Sequence, residues 1–365
     1  MNATTNRQIQ KAGDNANQIQ AQTVIQNIGI SEERVHDIVG AACDRAIESC
    51  LMESRNAVEQ RLGSFKDELY VIVGNQLQLF ESLREPSCAA TLGAAANAAA
   101  RTSSVDDHQM LAELLVKRFE SPSDRHVATG VTKAIEIVEF LTDEELAGLT
   151  TLHVARSFTP VSGNIKNGIK SLACLFDALP FNLLPTGREW IDDLDMLDAL
   201  RYSDIASLVS FLDRQFVLLN GYTICGVKTG SDDEAEARDR LAEVGLPTEL
   251  LVKHELNPGY RRLPLRYINN LEDFSLYSTS DPSTFHIDLN DDQIEALRYI
   301  CNLSDGNSRH EVIKENLKKE LLRYPSLATL IDWWDSIRLV LRLTSAGKCL
   351  ASANARRLKP ELPYL

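Results

Sequence analysis

The chain has 365 residues, 44% of them hydrophobic, with a formal net charge of -14. That length can bury a large core and suggests two or three domains, while the acidic balance excludes a general nucleic-acid or membrane-surface binder, which carries a basic footprint. The cysteines (Cys43, Cys50, Cys88, Cys174, Cys225, Cys301 and Cys349) are odd in number and scattered singly, so they read as thiols in a reducing cytosol. No run of eighteen apolar residues occurs, and no apolar core follows a basic patch at the start, so neither membrane spanning nor secretion is expected and the compartment is read as cytoplasmic.

Residues 1–30 are rich in Asn, Gln and Thr and hold a single acidic residue, Asp14. Gln-Ile-Gln occurs at Gln8 and again at Gln18, with Gly13-Asp14-Asn15 between as a candidate turn. The pattern predicts short amide-laddered strands, although the same composition also suits disorder. Two strands alone are marginal in water, so copies from neighbouring subunits would complete them. Ile9, Asn15, Gln18, Ile19, Gln20, Val24, Ile25 and Ile28 are the candidate assembly residues, and a homo-oligomer is the expected state.

Ser31-Glu32-Glu33 has the chemistry of a helix start. Behind it, Val35, Val39, Ala42, Ala46, Cys50, Val58, Leu62, Phe65 and Leu69 follow at helical spacing, which predicts a helix of roughly forty residues, about 60 Å long. Residues 31–85 form this long helical segment and 86–215 a body of shorter helices. In that body Ala89 to Ala100 would let a neighbour approach closely, Met110, Leu111, Leu114 and Leu115 mark an apolar stripe, and Thr142-Asp143-Glu144-Glu145 spells a capping box. Residues 216–290 are broken by prolines and read as irregular α+β, with a strand expected in Val217 to Val227. Helices return over 291–365. The expected fold is mainly α: a helical stack, HEAT-like in its paired helices and short links, with a short β segment at the N-terminus and a small irregular β insertion near 217–285.

Candidate chemistry is sparse. Asp192, Asp195 and Asp198 share a helix face, but no His or nucleophile stands beside them, so a solvated face outweighs a metal-hydrolase reading. Asp288-x-Asn290-x-Asp292 opens like a calcium loop, yet Gln293 and Tyr299 occupy the positions that need Gly and a bidentate carboxylate, and helix capping explains it better. Arg261, Arg262 and Arg266 around Pro264 read as surface arginines with some capacity for an anion. No cofactor or metal site is indicated.

The C-terminal end is locally basic: residues 309–361 hold eleven Lys and Arg against six Asp and Glu, a charge of +5. Arg338, Arg342, Lys348, Arg356 and Arg357 are therefore candidate nucleic-acid contacts, and Leu343-Thr344-Ser345-Ala346-Gly347 leads into a basic helix as in winged-helix proteins. No exposed recognition helix precedes it, so a docked terminal helix is favoured.

Gly13-Asp14-Asn15-x-x-Gln18-Ile19-Gln20-Ala21, Ile28-Gly29-Ile30-Ser31-Glu32-Glu33-Arg34, His108 to Leu115, Leu343 to Gly347 and Ala353 to Arg357 together resemble a bacterial protein family known only by locus-tag names. The resemblance implies a bacterial cytosolic protein without an established activity, and carries no catalytic residues. Ala89 to Ala100 departs from the bulkier residues common in that family. Amide-rich openings also occur in proteins of bacterial defence islands, which suggests phage defence by analogy. The leading expectation is a self-assembling helical interaction protein with an unidentified protein partner; the others are a DNA-associated regulator and an enzyme with a dispersed site.

Overall fold

The computed structural model describes residues 32–48, 55–74, 77–160, 162–205, 207–268, 275–277, 286–304 and 309–362. The expected assembly residues, Ile9 to Ile28, lie outside these. The fold is mainly α, a stack of helices with a few small antiparallel strand pairings.

The stack opens with α1 (Glu32–Glu48) and α2 (Arg55–Val73), which replace the single long helix expected over this stretch. The apolar periodicity was real, because Val35, Val39, Ala42, Ala46, Val58, Leu62, Phe65 and Leu69 are all buried. What they bury against explains the division. Both helices pack on α3 (Pro86–Arg101), which is only about 24 Å long, and a straight 60 Å rod cannot lay both halves on it. The helices run antiparallel, with the His36 ring stacked 5.0 Å from Tyr70 and Cys43 close enough to feel Lys66. In α3 the small side chains Ala95, Ala96, Ala98, Ala99 and Ala100 are buried, so neighbours on several sides come close.

α4 (Val105–Glu120) is enclosed at His108 and from Met110 to Phe119, including the Met110, Leu111, Leu114, Leu115 stripe. α5 (Arg125–Ile137) and α6 (Asp143–Ser157) follow through short links. Their starts obey side-chain capping: Ser104 accepts from the Asp107 amide, and Asp124 from those of His126 and Val127. Thr142 and Glu145 form the reciprocal capping box. α7 (Ile165–Phe176) and α8 (Glu189–Met196) complete the first half.

β1 (Leu200–Ser203) then pairs antiparallel with β7 (Val340–Leu343), with Leu200 opposite Leu343 and Arg201 opposite Arg342. Between them lie α9 (Phe211–Leu218), α10 (Asn220–Thr223), α11 (Asp232–Glu243), α12 (Asp291–Asn302), α13 (His310–Leu321) and α14 (Pro325–Ser336). The strand expected in Val217 to Val227 is mostly helix, because these residues complete α9 and α10; only Val227–Lys228 extends, as β2. A three-stranded sheet places β4 (Tyr260–Arg262) between β2 and β3 (Val252–Lys253). A further pair joins β5 (Ser275–Tyr277) to β6 (His286–Asp288).

Two apolar clusters result. The large one runs through the stack, whereas a small one between α11, α12 and the three-stranded sheet holds Val227, Ala237, Leu241, Leu246, Leu251, Leu263, Leu265, Leu297 and Ile300. The last helix, α15 (Ser345–Leu358), returns to the first half and packs against α4, α5 and α6. It buries every residue from Cys349 to Ala355, Asn354 donating to the Thr150 hydroxyl at 2.8 Å. Contacts in a solenoid join only neighbours; here the end of the chain stands in the middle of the stack.

Candidate interaction surfaces

Asp192 and Asp195 of α8 are paired with arginines. Arg188 holds Asp192 at 3.3 Å, and Arg201 binds Asp195 at 3.0 Å and also Asp198. Asp198 is the non-glycine residue with φ of 60°, in the left-handed region that Asp and Asn tolerate best. Its carbonyl and that of Ala199 accept from the Thr344 hydroxyl, while the same hydroxyl caps α15 through the Gly347 amide at 3.1 Å. The acidic turn therefore joins β1 to the start of the central helix. Arg261, Arg262 and Arg266 find other partners, so the structure does not unite the two groups that a dispersed active site would need.

Arg262 corrects the expectation of a surface arginine. It is only 2% exposed. Its guanidinium donates to the carbonyls of Gly163 (2.8 Å), Leu263 (2.9 Å) and Leu265 (3.2 Å), pairs with Glu255 at 3.1 Å, and stands 5.5 Å from the Tyr222 ring. Strand alternation in Tyr260-Arg261-Arg262 was the available signal: successive side chains face opposite ways, so one arginine of the pair had to turn inward. Beside it, His254 Nε2 lies 2.7 Å from the Ile224 carbonyl, and the Leu256 amide donates to Nδ1 at 3.1 Å. These partners assign the neutral Nε2–H tautomer. The small recess alongside is about 10 Å³, room for roughly one water.

Burial pushes His254 down to about 4, with Arg262 adding to it against the Ile224 bond and Glu255. His153 is lowered to about 4 by burial and by Lys117 and Lys348. The unfolded chain takes up these protons below about 6.5, the folded one only near 4, so the unfolded state binds more protons between those values and stability falls as pH drops through that window. We expect each histidine to contribute on the order of 2–3 kcal/mol of acid destabilisation. Urea midpoints at pH 7 and pH 4.5 check this: His254→Gln should flatten the decline, and an unchanged slope would refute it.

The basic end divides. Arg356 pairs with Glu113 at 3.0 Å and donates to the Leu362 carbonyl; Arg357 pairs with Asp106 at 2.6 Å and donates to Asn354. Arg338, Arg342 and Lys348 are exposed and form no ion pair among the described residues. The favoured docked terminal helix is what α15 is. Arg356 and Arg357 line a recess of about 320 Å³ between α2, α4 and α15, with Glu68, Val71, Ile72, Gln109, Glu113 and Pro360. A wider open groove of about 700 Å³ lies between α11 and α12, lined by Asp232, Glu236, Asp239 and Glu243 with Arg240 and Tyr299.

A family model matches residues 29–364, almost the whole of this arrangement, and describes a family named only by locus tag. The chain belongs to that family. The match spans α1 to α15, so the family unit includes both the opening helices and the helix that closes the stack. No curated protein and no solved structure matches the chain. None of the described helices is long and apolar enough to cross a membrane, and among the described residues no group of three His, Cys, Asp or Glu side chains is arranged to hold a metal ion.

Apolar side chains also stand in water on the family's fold. Met196 is 78% exposed, Ile205 94%, Val209 59% and Val217 74%. Around Val209 the chain is held: the Trp334 indole donates to the Val209 carbonyl at 3.0 Å, the Phe211 amide donates to Asp335 at 2.8 Å, and Lys314 pairs with Asp213 at 2.5 Å.

Proposed function

We propose that the protein is a self-assembling helical scaffold that presents its body to a protein partner in the bacterial cytosol, with phage defence as the setting suggested by analogy. The observation that carries the partner-binding part is the exposure of Met196, Ile205, Val209 and Val217, with the backbone at Val209 and Phe211 anchored. Large apolar side chains left in water favour burial against a partner, and a fixed backbone, as at Val209, lowers the ordering cost of binding. The amide-rich composition of residues 8–28 supports the assembly part. Light scattering behind a sizing column measures the mass of the full chain and of a chain starting at Ser31. The full chain should be a defined oligomer and the shortened one a monomer with unchanged helicity per residue; equal masses would overturn assembly through residues 1–30.

Nucleic-acid contact is the second reading, and the unpaired Arg338, Arg342 and Lys348 favour it. Arg356 and Arg357 leave that set because each already has a carboxylate. The same preparations titrated with a DNA duplex should bind at low salt and release it steeply as salt rises; no binding at low salt would remove this reading.

A further inference from the structure

We infer that the recess between α2, α4 and α15 binds a free α-amino acid with an apolar side chain. Three observations lead there.

The first is convergence. Each of the three helices lends neighbouring side chains of one face: Glu68, Val71 and Ile72 at i, i+3 and i+4 on α2, Gln109 and Glu113 at i and i+4 on α4, and Arg356 and Arg357 on α15, with Pro360 just beyond its end. The space they leave, about 320 Å³, is at the small end of the range for small-molecule sites, which suits a single amino acid better than a nucleotide or a folded peptide.

The second is charge. Glu113 is the most buried of the lining groups, 4% exposed, and its charge is met by Arg356 at 3.0 Å. Glu68, by contrast, is half-buried and forms no ion pair among the described residues, and the Gln109 side chain forms no hydrogen bond among them. Arg357 gives Nε to Asn354 and Nη1 to Asp106, which leaves donors of its planar fork for a ligand carboxylate. An unpaired carboxylate on α2 and a guanidinium with donors to spare on α15 thus share the recess without touching. An ammonium and a carboxylate on one carbon bridge them, the ammonium on Glu68 and the carboxylate on Arg357. A purely anionic ligand is repelled by Glu68, and a purely cationic one leaves the Arg357 donors unmet. A zwitterion satisfies both and adds no net charge to a partly desolvated site.

The third is the apolar wall. Val71 is 77% exposed, while Val58, Leu62, Phe65, Leu69 and Val73 of the same helix are buried. With Ile72 and Pro360 it sets an aliphatic surface beside the charged groups, and an apolar side chain lying on it removes that surface from water.

The inference goes beyond the scaffold reading and does not depend on it. Ligand affinity, oligomer mass and partner binding are separate readouts, so each can fail alone.

Isothermal titration calorimetry of the full chain tests it with L-leucine, L-methionine and L-phenylalanine at up to millimolar concentration, each beside the amine lacking its carboxylate and the acid lacking its amine. At least one of the three amino acids should bind at one site per chain, with its amine and its acid each weaker by about tenfold or more. Glycine and aspartate should not bind. Glu68→Gln removes a charge that stabilises nothing in the chain, so it should weaken the amino acid by about tenfold or more with the urea midpoint unchanged. Val71→Asp, at an exposed position, should weaken it as well. No binding by any of the three, an amine or acid that binds as tightly as its parent, or full affinity in Glu68→Gln would overturn the assignment.

Discussion

Replacing Arg262 by methionine is expected to destabilise the protein by about 3–5 kcal/mol, the usual cost of stranding one partner of a buried ion pair. Methionine fills much of the volume but supplies no donor. The carbonyls of Gly163, Leu263 and Leu265 lose an N–H, and Glu255 keeps its charge while losing the guanidinium that holds it. The damage is not local. Glu255 also accepts from the Ile165 amide at the start of α7, and Tyr222, against the Arg262 cation, donates to the Ser162 carbonyl. Arg262 therefore ties the small sheet to the α7 entry and to α10, the join between the two apolar clusters. Lysine should recover little of the loss, because one ammonium cannot reach carbonyls spread around a planar fork. Urea unfolding of the two variants measures this; a loss below about 1 kcal/mol for Arg262→Met would mean that the hub is dispensable.

Helices were the legible part of this sequence because their signals are local. Ser104, Asp124, Thr142, Asn290 and Thr344 all cap the helices that follow them. At Asn290 the apparent calcium-loop opening resolves into a capping box with Gln293. The apolar stripe from Val35 to Leu69 was correctly read as one buried face, but its division into two helices was not, because periodicity does not record whether the two halves share a partner. The run Val217 to Val227 failed for a related reason. Its β-branched residues suit a strand, yet Gly221 lies so close to Leu265 and Arg266 that an added Cβ would sit 2.6 Å from their backbone, and packing there favours the compact helical turn.

Surface chemistry was less legible. The local charge of +5 counted Arg356 and Arg357 as free cations, whereas their carboxylates come from α4, some 240 residues earlier in the chain. Composition within a window cannot see a partner that far away. The acidic turn at Asp192 to Asp198 shows the reverse case: its carboxylates are partly exposed, as a solvated face requires, but their partners Arg188 and Arg201, though near in sequence, went unread. Arg262 hid in plain view, since one of two adjacent strand arginines had to face inward.

α15, from the end of the chain, is the pillar of the first half of the fold. Gly347 is where it is most sensitive. A Cβ there would stand 1.8 Å from the Ala199 carbonyl oxygen, a backbone atom already engaged by Thr344. Across the helix Gly130 is similarly tight, with an added Cβ 3.1 Å from the Ser345 carbonyl, so α15 cannot simply slide toward α5. Gly347→Ala should therefore cost about 2–4 kcal/mol, through overpacking and a disturbed cap. The decisive measurement is amide hydrogen exchange by mass spectrometry on the unmodified chain and on Gly347→Ala. In the unmodified chain, peptides from Cys349 to Ala355 should be among the slowest and should open together with α4, α5 and α6; in the variant all four helices should exchange faster together. Rapid exchange of α15 in the unmodified chain, or faster exchange confined to α15 in the variant, would mean that α15 does not support the helices around it.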